Sequence, residues 1–366
     1  MTNTTQTKTT STIYADAVLE GGGVRGIGHV GALMTAEKLG YKWVNIAGTS
    51  AGAIVAALLV ADYTAAEMFD IMSQMDYNRF ADNAGFNWFY LRDIYAMLAQ
   101  GGIHTGQYIE DFIREKLQAK GIQKFGDLVV KGQEGDPRLR YRLTVIASDI
   151  TTGRMLRLPH DAHFYGLDPD EIDVARAVRM SAGMPFFYIP VVQQHANGSI
   201  SRIVDGGLLS NFPIGIFDEG DEPERPTIGF RFIDPAPPNA DTHPLLFNPV
   251  NNTFEILSSL VNTLLSASDR IYMADHAYVR TIGIPVNNIG LTKFDLSKED
   301  VQQLCQNGQK AAEDFFATWD FDAYKVAYRS NNYIPSRQER LHADMKLIRS
   351  VSDQLKNINE QPPGAA

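Results

Sequence analysis

The chain contains 366 residues, of which 44% are hydrophobic and 21% are charged. This balance is typical of folded globular proteins, and it excludes collagen-like, fibrous and wholly disordered chains. The 33 basic and 43 acidic residues give a formal net charge of −10, which argues against a broad surface for nucleic acid, because such surfaces need excess positive charge.

The amino terminus and the single cysteine bear on the compartment. Residues 1–12 are rich in threonine and lack the apolar stretch of a secretory signal, so they predict a disordered tail and no classical export, with a non-classical route left open. Cys305 alone cannot form an intramolecular disulfide, which favours reducing surroundings. The longest apolar run, residues 51–61, is shorter than the roughly 20 residues of a membrane-spanning helix. We therefore expect a cytoplasmic protein.

The beginning of the chain repeats a pattern of strand, turn and helix. Residues 14–20 predict a strand, and residues 27–39 predict a helix that ends at Gly40. Residues 43–47 predict a second strand, and residues 53–60 form an apolar segment typical of a buried helix. This alternation favours an α/β fold.

The later elements are predicted from periodicity and from helix caps. We predict strands over residues 142–147, 203–205 and 227–233, helices over residues 107–120, 169–183, 254–267, 297–317 and 338–358, and a long loop over residues 234–252. Asp168 is the expected N-cap of the helix that starts at Pro169. The apolar stripe of residues 338–358, with its seven-residue steps, is expected to dock on the parent domain.

A serine lies in the turn that follows the second strand. Gly48 and Gly52 flank Ser50 at two positions on either side, a spacing typical of the strained strand-to-helix elbow that presents a nucleophile. The helix that follows directs free N–H groups and its positive end towards Ser50, which favours the negative charge that develops during attack on a carbonyl. An ordinary glycine-rich turn is the alternative for this pentapeptide alone.

The turn after the first strand, residues 21–26 with the sequence GGGVRG, can direct several backbone N–H groups at an anion. A dinucleotide site would need an acidic residue at the end of the second strand. Residues 48–52 occupy that place, and Glu37 lies within a helix. An oxyanion hole accounts for both turns, and one of its donors contributes about 2.7–4 kcal/mol. The Arg25 side chain either orients the loop or a phosphate head group, or it is exposed to solvent. We favour the structural role, in which it orients the loop.

A serine nucleophile also needs a base. Asp205 is the sharpest candidate, because it ends a predicted strand and is followed by Gly206 and Gly207, which allow a sharp turn; a common hairpin turn is the alternative. None of the eight histidines stands in a context that singles it out: they are His29, His104, His160, His163, His195, His243, His276 and His342.

Taken together and in this order, the three motifs resemble those of the patatin-like phospholipases. Further similarity occurs at residues 149–153, 179–185 and 211–213, so the resemblance covers about residues 14–317. It implies a three-layer α/β/α fold with a mostly parallel central sheet between helices. It also implies a dyad of Ser50 and Asp205 beside an oxyanion hole. The hole is assigned to Gly22, Gly23, Val24 and Arg25, with Gly21, Gly26, Gly48, Gly52, Gly206 and Gly207 as supporting motif residues.

The implied activity is that of a lipid acyl hydrolase of the phospholipase A or lysophospholipase type, which forms an acyl-enzyme on Ser50. Burial should raise the basicity of Asp205. No metal or other cofactor is expected, since the acidic clusters at residues 168–173 and 218–222 do not match a calcium loop. The expected partners are phospholipid or other acyl-ester lipid and a peripherally contacted membrane, with no nucleic acid polymer. The alternatives are an α/β-hydrolase esterase with a Ser-His-Asp triad and a non-catalytic module that binds nucleotide or lipid.

Methionine and aromatic side chains concentrate in residues 68–97. Such adaptable side chains suit a lid or an acyl-chain channel, although core packing is slightly favoured and both roles can coexist. We therefore predict a helical lid or cap insertion over residues 62–135 within a catalytic domain of residues 13–317. A C-terminal helical extension over residues 318–366 follows.

Overall fold

The structure of the chain is a computed structural model. It describes residues 12–75, 79, 101–133, 135–218, 223–233, 263, 275–287, 289–291, 293 and 295–329. The predicted disordered tail, the loop over residues 234–252, the helix over residues 254–267 apart from Thr263, and the stripe of residues 338–358 lie outside the described residues, except that Thr12 is described.

The described strands and helices alternate over residues 13–60. The strands are β1 (Ile13–Leu19), β2 (Tyr41–Thr49), β3 (Gly102–His104), β4 (Leu143–Asp149), β5 (Arg154–Leu158), β6 (Phe186–Tyr188), β7 (Val191–Gln194), β8 (Ile200–Asp205), β9 (Thr227–Ile233) and β10 (Thr281–Pro285). The helices are α1 (Ile27–Lys38), α2 (Ala51–Val60), α3 (Ala65–Ser73), α4 (Gln107–Gln118), α5 (Val174–Ser181), α6 (Asp275–Tyr278), α7 (Lys298–Phe316) and α8 (Phe321–Tyr328).

A mixed sheet with the strand order β10-β9-β1-β2-β4-β8-β7 forms the centre of the fold, and β3 and β6 pair separately. The strands from β10 to β4 are parallel, and all seven residues of β4 are buried, as expected for parallel strands that are covered on both faces. The prediction of an α/β fold with a central sheet flanked by helices is confirmed.

Strand β4 has three partners, and this arrangement positions the site. Strand β2 pairs with β4 up to the pair of Thr49 and Ile146, and β8 pairs with β4 from the pair of Asp205 and Ala147 onwards. Strand β5 pairs with residues 145–149 of β4, which include the three residues that pair with β8. Because a strand has only two hydrogen-bonding edges, β8 must continue along the edge that β2 leaves. The carboxyl ends of β2 and β8 therefore meet end to end.

Helix α1 packs closely on helix α7. A Cβ atom on Gly31 would lie 1.9 Å from the carbonyl oxygen of Cys305, and one on Gly308 would lie 2.0 Å from the carbonyl oxygen of Gly28. The two backbones are thus in direct contact, which only glycine allows at these positions. The Ser297 side chain caps α7, at the start of the helix that the sequence predicts over residues 297–317.

The elements up to residue 60 are confirmed with bounds that differ by one or two residues. The prediction of a helix starting at Pro169 is wrong. Asp168 caps only the short 3-10 turn of residues 169–171, and Ile172 and Asp173 then adopt extended conformations. Helix α5 begins at Val174, where the Asp173 side chain accepts a hydrogen bond from the third residue of the helix. Within the described part of the chain, no helix combines the length and apolar character needed to span a bilayer.

Candidate active site

Ser50 occupies the sharp turn between β2 and α2, with φ of 53° and ψ of −121°. This conformation is strained for any residue with a side chain. The flanking glycines make the turn feasible, because a Cβ on Gly48 would lie 2.4 Å from the carbonyl oxygen of Gly52, and one on Gly52 would lie 2.3 Å from that of Leu19. The amide of Ser50 donates to Ser181 Oγ at 2.8 Å. These contacts hold the serine in the nucleophile-elbow conformation that the spacing predicts.

The Ser50 and Asp205 side chains are in direct contact. Ser50 Oγ donates a hydrogen bond to Asp205 Oδ2 at 2.6 Å, and Asp205 Oδ1 accepts one from the Gly207 amide at 2.8 Å. Gly206 makes the intervening turn possible, because a Cβ there would lie 2.2 Å from the Ile146 carbonyl oxygen. Both carboxylate oxygens are therefore fixed, with Oδ2 directed at the serine hydroxyl.

Burial of the carboxylate tunes its acidity. Burial raises the pKa of Asp205 from its ordinary value of 3.8 to about 6, while the hydrogen bonds from Ser50 and Gly207 act in the opposite direction. The side chain is almost wholly excluded from solvent, and a charged carboxylate is disfavoured in such surroundings. Near neutral pH the group is still ionised, yet it is a stronger base than an exposed aspartate.

The glycine loop at the end of β1 offers fewer free amides than the sequence predicts. The Val24 amide donates to the Leu291 carbonyl at 3.2 Å, and the Arg25 amide donates to the Gly22 carbonyl at 3.1 Å. The N–H groups of Val24 and Arg25, which belong to the predicted set of oxyanion donors, therefore already have acceptors. The Arg25 side chain donates from Nε to the Ile289 carbonyl at 2.6 Å, which is the structural role favoured for it.

Two amides of the loop remain for an oxyanion. Those of Gly22 and Gly23 donate to no acceptor within the part of the chain that the structure describes. A Cβ on Gly22 would lie 2.2 Å from the Phe232 ring, while Gly23 has a φ of +55° and would place a Cβ 2.1 Å from the Leu291 carbonyl oxygen. Only glycine fits at these two positions, where the loop passes beside Ser50.

Three anchors that sequence reasoning missed hold this loop. The Gly21 amide donates to the Asn211 carbonyl at 3.2 Å, and Asn211 Nδ2 donates back to the Gly21 carbonyl at 3.1 Å. His29 Nε2 donates to the Glu20 carbonyl at 2.9 Å, and the Glu20 carboxylate accepts from the Phe232 amide at 2.5 Å. Burial lowers the pKa of His29 to about 4, so the ring is neutral. Asn211 lies in the segment of further similarity over residues 211–213, and Glu20 ends the first predicted strand.

An apolar cleft opens beside Ser50. Its lining includes Met72 and Met75, whereas Met68 lies in the core. The remaining lining residues are Gly23, Val24, Ala51, Ile54, Ile109, Ala182, Met184, Tyr188 and Leu291. The start of the methionine-rich stretch therefore serves both core and cleft. Apart from Arg79, residues 76–100 lie outside the described residues, and the lid over residues 62–135 stays a prediction.

Among the described residues, the hydroxyl of Ser50 is coupled to no imidazole. Its acceptor is Asp205, and none of the histidines that the structure describes hydrogen bonds to it; His243 and His342 lie outside those residues. Among the described residues there is also no cluster of three or more His, Cys, Asp or Glu side chains that could hold a metal ion. The geometry offers a serine-carboxylate pair for nucleophilic chemistry.

A family model described as patatin-like phospholipase matches residues 17–218, the span that contains the serine elbow, the glycine loop and the aspartate turn. The chain belongs to the patatin-like phospholipase family. It is similar to an uncharacterised protein of Bacillus subtilis strain 168, YqhO, with 36% identity over 84% of this chain and 100% of the relative. It is also 26% identical to a probable lipid hydrolase, 463L, of invertebrate iridescent virus 6, over 56% of this chain and 63% of that protein.

The crystal structure of VipD from Legionella pneumophila is similar in fold to this member of the patatin-like family. The two share 16% sequence identity with a TM-score of 0.47, over 96% of this chain and 78% of VipD.

Proposed function

We propose that this patatin-like protein is a lipid acyl hydrolase in which Ser50 and Asp205 form the catalytic dyad. The observation that carries the proposal is the 2.6 Å hydrogen bond from Ser50 Oγ to Asp205 Oδ2 at the edge of an apolar cleft. Family membership supports the lipid class, as does the name of the viral relative, a probable lipid hydrolase.

In the first half of the reaction, Asp205 accepts the proton of Ser50 as Oγ attacks the acyl carbonyl. The negative charge that develops on the carbonyl oxygen would be bound by the amides of Gly22 and Gly23. Collapse of this intermediate breaks the ester bond, and the alcohol or lysolipid leaves with the proton held by Asp205. The product on the enzyme is an acyl ester of Ser50.

Hydrolysis of the acyl-enzyme repeats the same steps with water as the nucleophile. Asp205 takes a proton from the water, the hydroxide oxygen adds to the acyl carbonyl, and Ser50 leaves with the proton returned to it. The raised pKa of Asp205 favours both transfers, because a base is most effective when its pKa lies near the working pH.

The acyl chain would occupy the cleft lined by Ile54, Met72 and Met75. Methionine adapts to chains of different shape, so we expect tolerance of acyl length with an upper limit set by the cleft. A Met75→Trp variant should shift the preferred acyl length downwards in a series of p-nitrophenyl esters. An unchanged length profile would place the chain elsewhere.

The deciding experiment measures fatty acid release by mass spectrometry from vesicles of mixed phospholipids. Ser50→Ala and Asp205→Asn should each abolish release, and Ser50→Ala should also abolish labelling by a fluorophosphonate probe. Ser199→Ala, a change of an exposed hairpin serine, is the matched control and should retain both. Release by Ser50→Ala would refute the proposal, and loss of activity in His276→Ala with retention in Asp205→Asn would favour a triad instead.

A further inference from the structure

Among the described residues, the helix that packs on the sheet beyond the catalytic pair lies on one face. Helix α5 packs on β4 and β8, and the side chains directed at it include Leu156, Leu158 and Ile203, which are buried. These positions alternate along β5 and β8 with residues that must point to the opposite face. The opposite face of β5, β4, β8 and β7 is called the outer face below.

The outer face carries exposed apolar side chains. Val192 pairs with Arg202, and the Ile150 amide donates to the Arg202 carbonyl at 3.0 Å, so these three residues lie side by side across three strands and share a face. Ile200 lies on the outer face because it precedes Arg202 by two residues in β8. Met155 also lies on the outer face, because its partner in β4, residue 148, precedes Ile150 by two positions. Their exposed fractions are 48% for Ile150, 38% for Met155, 45% for Val192 and 50% for Ile200.

This composition is unusual for a sheet face in contact with solvent. Antiparallel strands with one exposed face normally alternate apolar and polar residues, with the polar ones outside. Here the exposed outward positions hold four apolar side chains together with Arg157, Gln194 and Arg202, over a width of four strands, or about 14 Å at the usual spacing between strands. The outward residues Ile146, Ser148 and Val204 are buried. A contiguous exposed apolar surface of this kind marks an interaction site.

The charges on the outer face identify the partner. Arg202 lies at its centre and has no salt bridge among the described residues, while Arg157 lies on the same face and pairs with Asp161 at 2.8 Å. No carboxylate stands at an outward position of these four strands, in a chain of net charge −10. Arginine beside exposed aliphatic side chains fits the boundary between acyl chains and anionic head groups of a bilayer.

A second copy of the chain fits this surface poorly. Most homodimers have two-fold symmetry, which brings the same patch of both copies together. The two Arg202 guanidinium groups would then face each other across the axis, and like charges in contact disfavour association. A lipid surface with negative head groups has the complementary charge.

We propose that the outer face docks this protein on an anionic lipid bilayer. The inference rests on the proposed function for its purpose, because a lipid hydrolase must take its substrate from such a surface. Arg202 precedes Asp205 by three residues in the same strand, about 10 Å along β8. Because they lie three positions apart, the two side chains point to opposite faces of β8, so a bilayer bound at the outer face would be held at a fixed distance from the catalytic pair, on the other side of the sheet from Asp205.

The test measures binding of the inactive Ser50→Ala protein to vesicles by co-sedimentation, with pure phosphatidylcholine compared to a 7:3 mixture with phosphatidylglycerol. In that background Arg202→Gln should weaken binding to the anionic vesicles about 5-fold and Arg202→Glu about 30-fold, at the usual contribution of one charge near such a surface. Ile150→Glu with Ile200→Glu should also abolish binding. Circular dichroism and the melting temperature verify that each variant is folded.

Matched controls lie near the amino ends of β1 and β2 in the same sheet. Lys42→Glu makes the same change of charge as Arg202→Glu at an exposed strand position, and Tyr14→Glu replaces an exposed strand residue that is 61% accessible. The lysine control should lose less than 2-fold through its general charge, and the tyrosine control should behave likewise. Equal losses in controls and outer-face variants, or unchanged binding in the outer-face variants, would overturn the docking surface.

Two further readouts separate this proposal from the catalytic one. With active Ser50, the outer-face variants should lower the ratio of vesicle hydrolysis to hydrolysis of a soluble short-chain ester. If neither substrate is hydrolysed while the Arg202 variants still lose vesicle binding, the proposed function fails and the docking surface stands. If the variants instead change the oligomeric mass in size-exclusion chromatography without lipid, the outer face is an interface between copies and the proposal is wrong.

Discussion

Replacement of Asp205 by Asn should stabilise the fold while it abolishes turnover. The carboxylate is buried, and its pKa of about 6 lies above the ordinary value of 3.8. The folded protein therefore favours the neutral carboxyl group, whereas the unfolded chain favours the ionised one. Asparagine has nearly the same shape, still accepts the hydrogen bond from Gly207, and carries no charge at any pH.

The size of this stabilisation follows from the difference between the pKa of Asp205 in the folded protein, about 6, and its ordinary value of 3.8. At 1.36 kcal/mol for each pH unit, this difference corresponds to about 3 kcal/mol. The stabilisation that the neutral Asp205 carboxyl provides is fully present below pH 3.8, and it is lost as the pH rises through 6. Between pH 4 and pH 8 the free energy of unfolding of the asparagine variant should therefore rise by about 2–3 kcal/mol relative to the parent.

The assay compares the two proteins by thermal and urea unfolding across this pH range, since charges elsewhere cancel in the difference. Turnover should fall by about 10²–10⁴-fold, the usual contribution of a general base. Asp149→Asn is a control of opposite sign. Burial raises the pKa of Asp149, but hydrogen bonds from Ser201, Thr151 and Thr152 outweigh it and hold the pKa below its usual value.

Asp149→Asn should therefore be most destabilising at high pH, because the ionised Asp149 contributes stability above its unfolded pKa and loses it as the pH falls. A difference between Asp205→Asn and the parent that stays constant from pH 4 to pH 8 would refute the assignment of Asp205 as a buried group with raised pKa.

Four other changes test the site and its support. The kcat/KM of the parent should fall below about pH 6, because only ionised Asp205 can accept the serine proton; a profile flat to pH 4 would exclude this base. Ser50→Gly should melt at a higher temperature than Ser50→Ala, since φ of 53° with ψ of −121° strains any residue with a Cβ by about 1–3 kcal/mol; the reverse order would contradict the strain. Asn211→Ala should lower kcat about tenfold with little change in KM by loosening the glycine loop, and a change confined to KM would argue against this role. Gly308→Ala should lower the melting temperature by several degrees, because its Cβ would lie 2.0 Å from a carbonyl oxygen of α1, whereas an unchanged temperature would show that the helices separate easily.

The sequence predicts those parts of the site that depend on local geometry. A serine between two glycines, after a strand and before an apolar helix, has few alternatives to the elbow, because the backbone there requires residues without Cβ atoms. The same holds for the aspartate turn, in which Gly206 passes the backbone of β4. The contact between Ser50 and Asp205 is predicted from the combined motifs, and the geometry brings these side chains together.

The remaining features depend on contacts between residues far apart in the chain. The Val24 amide is occupied by the carbonyl of Leu291, and nothing near residue 24 signals that acceptor. Asp168 and Asp173 are both good N-caps, and each caps a turn or helix in the structure; sequence alone could not decide which begins the longer helix. The end-to-end meeting of β2 and β8 likewise needs knowledge of the whole sheet.

The end-to-end arrangement of β2 and β8 places Ser50 and Asp205 on parts of the fold that differ in their free energy of local unfolding. The nucleophile follows an interior strand with parallel partners on both sides. Among the described strands, the base ends one that pairs with β4 through three residue pairs and with the short edge strand β7. Peripheral hairpins of this kind open at lower free energy than interior strands. On gentle heating, hydrogen exchange and proteolysis should therefore reach residues 191–205 first, and turnover should cease while the parallel core is still intact.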